Sequence, residues 1–394
     1  MRIAYVCADP GVPVFGTKGC SIHVQEVIRC LYQMGHAVDL FAPRWEGTRP
    51  AGLDSVRVHR LPISDSWEAA AREQSALACN ASLRSALEGL GRFDLVYERY
   101  SLWSYAAMEF ARTEGIPSVL EVNAPLIDEQ ANHRILVDRP SAEEVARRVF
   151  ESASVLVAVS EEVSAYLRQF STAADRVHVV PNGVNTERFR PGLPPLLPRD
   201  AATFTIGFVG SLKPWHGLSV LVEAFALLHA AYPHVRLVIV GEGPERAHVL
   251  EGLEARGLSG TYHLTGAIPP DEVPRMLASF DAAVAPYTDG EGFYFSPLKV
   301  YEYMAAGLPV VASRLGQLRQ LIQDGVNGLL CPAGDAPALA ALLARLHDER
   351  DFRRRLSDRA RRTVLEDCTW SSTVRRILAL AEASEVNDLQ TESR

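Results

Sequence analysis

A chain of 394 residues is too long for one ordinary core and suits two domains of roughly 150 to 200 residues each. At 47% hydrophobic and 22% charged, with no apolar run near the ~20 residues of a membrane helix, it reads as globular, with no stable membrane insertion. The net charge is −8 and residues 1–190 carry 20 bases against 24 acids, so no basic face is offered to nucleic acid or anionic lipid.

The opening Met1-Arg-Ile-Ala-Tyr-Val-Cys7 has too short an apolar stretch for a signal peptide and reads as a first strand. From there β-branched runs alternate with helical patterns, as in parallel sheets covered by crossover helices. In the first half strands are expected at 3–7, 38–41, 56–61, 95–98, 118–122, 155–159 and 177–180. The loop after the first strand contains Gly16, Lys18 and Gly19, which allow close backbone approach and supply a point charge, so it is a candidate anion or sugar loop. It is expected to lead into a helix over 24–34, with His23 read either as a ligand-facing residue or as a buried helix residue. Asn123 follows the fifth strand, and Asp128 and Glu129 lie just beyond it, as carboxylates for a cationic ligand or as first-turn helix acids. Asn182-Gly183 marks a tight turn, and four prolines in 190–200 mark a linker.

The second half places strands at 205–209, 236–240, 261–265, 282–285, 309–312 and 328–331. Gly210-Ser211-Leu-Lys213-Pro-Trp-His216-Gly217 is a glycine turn with two cation-capable side chains before a helix, suited to phosphate. Gly241 opens another strand-to-helix turn, and Ala267 and Ile268 offer backbone groups to a base edge. In Tyr294-Phe295-Ser296-Pro-Leu298-Lys-Val-Tyr-Glu302, the loop and helix start can seat a diphosphate while Glu302 accepts from a ribose diol. The expected organisation is a domain over 1–190, a linker over 191–202, a domain over 203–369, and a terminal helix over 370–394 returning to the first domain. Six cysteines without metal-site spacing fit a reduced, cytoplasmic setting, and no metal or other cofactor is expected.

The ordered series from Gly210 to Gly217, Gly241-Glu-Gly-Pro244, Thr265-Gly266, the Glu302 helix and Asp324-Gly-Val-Asn-Gly-Leu-Leu330 resembles the C-terminal domain of glycosyltransferase family 4. The segment from Val180 to Phe189 is similar to that family's interdomain stretch, and the resemblance spans the whole chain. It implies an α/β protein of GT-B fold, two Rossmann-like domains facing across a cleft, working as a retaining, metal-independent transferase on a UDP-sugar. Glu302 then holds the ribose, and His216 and Ser211 stand at the usual lysine and arginine positions of the diphosphate site, leaving Lys213 as the substitute cation. Asn123 stands where many relatives place a histidine near the donor sugar. The family's first glutamate is replaced by Tyr294; either Glu291 serves from a longer loop, or Ser296 and backbone amides read the sugar.

Finer features resemble the glycosyltransferases that place glucosamine-type sugars on 2-deoxystreptamine in aminoglycoside antibiotic assembly. That implies a UDP-sugar donor, carrying GlcNAc or Glc, and a small aminocyclitol acceptor, for which an acidic N-terminal domain is apt. The alternatives are a transferase of cell-surface polysaccharide or glycolipid, a UDP-sugar 2-epimerase, and a catalytically silent carbohydrate-binding relative.

Overall fold

The computed structural model describes residues 1–392 apart from 63, 65, 171–173, 201, 290–292 and 295. The chain divides into two compact units. One holds Met1–Asn182, Tyr294–Ser296 and Trp370–Arg394, the other Gly183–Phe293 and Pro297–Thr369.

The first unit is built on a seven-stranded sheet of β1 (Arg2–Val6), β2 (Ala37–Ala42), β3 (Arg57–Arg60), β4 (Leu95–Arg99), β5 (Ser118–Val122), β6 (Val155–Ala158) and β7 (Val177–Val179). Their order is β3-β2-β1-β4-β5-β6-β7, and every pairing is parallel. Central strands such as Ile3–Val6 and Leu95–Tyr97 are buried on both faces, which is why they read as short unbroken apolar runs. The helix after β1 runs Gly19–Gln33, five residues earlier than the expected start at 24. Gly19 and His23 therefore belong to its first turns rather than to the loop. Lys18 is its N-cap, with no side-chain capping bond, so the usual sequence signal for a helix start is missing. The terminal helix Trp370–Glu392 packs on Gly19–Gln33 and on β5 and β6.

The second unit carries β8 (Phe204–Val209), β9 (Val235–Val240), β10 (Tyr262–Gly266), β11 (Ala282–Ala285), β12 (Val310–Ser313) and β13 (Leu329–Cys331). These form a parallel sheet in the order β10-β9-β8-β11-β12-β13. Both sheets begin in the middle and wind outward on each side, and the strand order reverses at β1/β4 and at β8/β11. Ligands of such sheets bind beyond the C-terminal ends of the strands at that reversal. The proline-rich stretch is irregular, and it is tied to the second unit by Leu196 N–H donating to Arg275 O at 2.9 Å and to Ser279 Oγ at 3.0 Å.

Candidate active site

In the second unit the strand ends close on one another through backbone alone. Gly210 N–H donates to Val240 O at 2.9 Å and Gly241 N–H to Gly266 O at 2.8 Å. Gly210 has φ +150°, and a Cβ at Gly241 would stand 2.0 Å from Gly210 O, so glycine is required at both positions. Beyond Gly210 the exposed Ser211 leads to Lys213 and a single 3-10 turn, Pro214–His216. Gly217 then caps the helix Leu218–Ala231. Lys213 Nζ stands 5.8 Å from the Trp215 ring centre. His216 is buried among Phe208, Tyr287 and Trp215, and its Nδ1–H donates to Ser211 O. Burial, then the neighbouring Lys299 ammonium, push this imidazole down to about 3. It is therefore neutral at physiological pH and is not the cation expected at that position.

Glu302 sits half-buried on the helix Leu298–Ala305, whose Val300, Tyr301, Tyr303 and Met304 face the core. Tyr303 fastens this helix to the end of β8: its hydroxyl accepts from Val209 N–H at 2.7 Å and lies 3.2 Å from Val209 O. Half-buried Leu298 opens the helix, and Lys299, one turn before Glu302, reaches the same strand end. Ala267, exposed, and Ile268 follow β10. Glu291 and Phe295 lie outside the described residues.

In the first unit several polar groups near the strand ends meet partners from the same unit. The loop holding Gly16 is braced by buried Gln25, whose Nε2 donates to Val14 O and Gly16 O, each at 2.8 Å. Lys18 Nζ reaches Gly11 O at 3.4 Å, while a Cβ on Gly19 would meet open space. His23, expected at the acceptor, is instead inside the unit: its Nε2 lies 2.7 Å from Glu121 Oε1 and its ring stands edge-on to Trp370 at 5.0 Å. Tyr97 OH donates to Glu121 Oε2 at 2.5 Å and stacks on Tyr5. Burial would raise the Glu121 carboxyl, but His23, Tyr97 and Arg99 together hold it below its usual value.

Asn123 Nδ2 is buried with no protein partner among the described residues, as are Tyr5 OH and Arg99 Nε. Asp128 and Glu129 lie in the first turn of the helix Leu126–His133. Asp128 pairs with Arg139 at 3.3 Å, and Glu129 accepts from Tyr294 OH at 3.0 Å with Arg134 at 3.9 Å. Tyr294 O also accepts from Ser160 Oγ at 2.6 Å, and Ser296 Oγ accepts from Asn182 N–H at 3.3 Å. Tyr294 and Ser296, expected at the donor, thus direct these polar groups to first-unit partners. A cavity of about 590 Å³ opens beside them, with Asp9, Glu73, Glu129, Arg44, Arg72 and Arg134 in its wall. Among the described residues no group of three or more His, Cys, Asp or Glu could hold a metal ion.

The sequence reading missed Gln25, Tyr303 and Lys299. The first two act through partners that periodicity does not reveal; the third stood in the quoted helix motif as a charge at an otherwise apolar helix start.

Residues 17–188 match the family model described as Glycosyltransferase Family 4, and residues 203–349 the model described as Glycosyl transferases group 1. The MMP alpha-(1->4)-mannosyltransferase of Mycolicibacterium hassiacum is 27% identical over 92% of this chain and 94% of its own length. The D-inositol 3-phosphate glycosyltransferase of Thermomonospora curvata is 29% identical over 91% and 89%. Among solved structures, sucrose-phosphate synthase from Thermosynechococcus elongatus superposes with a TM-score of 0.74 at 21% identity, covering 97% of this chain and 98% of the other. Anabaena HepE in complex with UDP and glucose gives 0.70 at 20% identity, covering 96% and 98%.

Two Rossmann-like α/β domains of GT-B fold and these matches define a glycosyltransferase, a hexosyltransferase by type. The two halves of the chain carry the two domain types, the first matching the Glycosyltransferase Family 4 model and the second the group 1 model. No helix among the described residues is long and apolar enough to cross a membrane.

Proposed function

We propose that this protein transfers glucose or N-acetylglucosamine from a UDP-sugar, with retention and without a metal, to a small aminocyclitol such as 2-deoxystreptamine in the cytoplasm. The observation that carries the donor half is the pairing of Glu302 with the glycine-closed end of β8: a carboxylate for the ribose diol beside bare backbone for a diphosphate. HepE, of the same fold, was solved with UDP and glucose. In the proposed reaction the bond from sugar C1 to the phosphate oxygen breaks as the acceptor oxygen bonds C1 on the same face. The acceptor's proton passes to the departing diphosphate. Lys213 and the start of the helix Leu218–Ala231 would stabilise that leaving charge, and the unpaired Asn123 amide would donate to a donor-sugar hydroxyl.

The cyclitol half draws on the acidity of residues 1–190 and on the relative named for D-inositol 3-phosphate, which is itself a cyclitol. That name also favours a second reading, a phosphorylated cyclitol. Three acids face three arginines in the first-unit cavity wall, so its charge does not choose between the two. Incubation with UDP-glucose or UDP-GlcNAc and, in turn, 2-deoxystreptamine, D-inositol 3-phosphate and a glycolipid acceptor, read by mass spectrometry, tests both. Transfer to 2-deoxystreptamine supports the proposal, and transfer to another acceptor replaces the aminocyclitol. Isomerised UDP-sugar without acceptor makes the protein an epimerase.

A further inference from the structure

We propose that Lys299 is the ammonium that grips the donor's diphosphate, standing in for the cation that position 211 lacks. This rests on the donor site proposed above and adds a residue to it. The chain has three lysines against 37 arginines. Every ion pair between described residues takes its cation from arginine or histidine. Lys18 is the N-cap of the helix after β1, Lys213 lies in the turn after β8, and Lys299 is in the first turn of the helix Leu298–Ala305.

Lys299 is the buried one. Its Nζ is shut off from solvent with no hydrogen-bond partner among the described residues, 4.2 Å from the Phe208 ring centre and 5.3 Å from that of Tyr287. A Cβ on Gly210 would stand 2.6 Å from that nitrogen, so glycine there leaves room for the ammonium at the turn. An unpaired ammonium in an apolar setting is unfavourable unless a ligand of opposite charge completes it. The charged and titratable groups around it are Glu302 on its own helix, His216 on the Pro214–His216 turn and the Tyr287 phenol after β11. Neutral His216 cannot share the charge, and Lys is the right cation for a compact slot that a planar guanidinium would overfill.

Burial pushes Lys299 down to about 7, with Glu302 opposing, so near neutrality the free protein holds a mixture of amine and ammonium. A bound diphosphate favours the ammonium, and the amine then takes one proton from solvent. The test is calorimetric titration of the full chain with UDP, GDP, dTDP and ADP, and with uridine, from pH 7 to 9 in buffers of different ionisation enthalpy. Wild type should take up a proton on binding the diphosphate, with affinity falling about tenfold per pH unit across that range. Lys299→Met should abolish the uptake, flatten the profile and weaken UDP about tenfold or more at pH 7, while uridine binds as before. Proton-free, pH-independent binding by wild type overturns the inference, whatever the variant's stability. So does a Lys299→Met protein that binds UDP normally. If wild type binds one of the diphosphates and Lys299 proves silent, this inference alone falls. If wild type binds none, the donor-site reading falls with it.

Discussion

The strand ends of the two units handle burial of polar groups differently. In the first, three of the carboxylate and loop groups find partners from within, with His23 and Tyr97 holding Glu121, Tyr294 holding Glu129 and Asn182 meeting Ser296, while Glu98, Arg99 Nε and the Asn123 amide are buried without one among the described residues. In the second, a buried ammonium has no partner, an imidazole is forced neutral, and glycines hold the approach open. A pre-satisfied site is rigid and loses nothing when empty, whereas an unsatisfied charge stores an attraction that only an oppositely charged ligand releases. On the proposed function the second unit takes the anion, and the first, with three acids and three arginines in its cavity wall and a buried Asn123 amide, takes the acceptor.

The largest effect expected tests the second region. Glu302→Ala removes two charge-assisted ribose bonds of ~1.5–3 kcal/mol each, so UDP affinity should drop by about 10²-fold or more, and Glu302→Gln should be milder. Unchanged affinity by calorimetry would remove the ribose from this helix.

Next comes a group that the first unit manages without pairing. Glu98 on β4 is buried, and burial raises its carboxyl from 4.5 to about 7, with the Ser104 hydroxyl opposing. The folded state therefore keeps a proton that the unfolded chain releases. Its stabilising contribution is complete below about 4.5, shrinks as pH rises towards 7 and is gone above. At ~1.36 kcal/mol per unit that amounts to about 3 kcal/mol at most. Urea unfolding across this range should show wild type losing stability relative to Glu98→Gln; parallel curves would place the titration elsewhere.

Lys213→Ala should cut kcat about 10²-fold, or ~2.7 kcal/mol, because leaving-group charge peaks in the transition state. Normal turnover would leave the diphosphate to Lys299 and helix N–H groups, and EDTA should not change the rate of either enzyme. The smallest effect belongs to Asp128→Asn with Glu129→Gln. Solvent-facing pairs supply ~0.2–1 kcal/mol each, so the acceptor KM should rise only a few-fold, with donor affinity intact. A lower Tm at constant KM would make these acids supports for Arg139 and Tyr294 rather than acceptor ligands.

By itself the sequence determined the alternation of strand and helix and the chain positions of the thirteen strands among the described residues. A strand buried on both faces must be a short apolar run, and that signal is local. It also marked the Glu302 helix and the glycine turn at 210, where backbone geometry restricts residue choice. What it left to tertiary structure depends on partners far away in the chain. Tyr294 sits in the middle of a second-half motif, yet its hydroxyl bonds Glu129, 165 residues earlier, and this segment belongs to the first unit. His23 carries the same imidazole whether it faces a ligand or is buried; Glu121 and Trp370 make it internal. Lys299 looks like a helix-surface charge until Phe208 and Tyr287 close over it, and it is that desolvation, a property of the assembled fold, that brings its proton near neutrality.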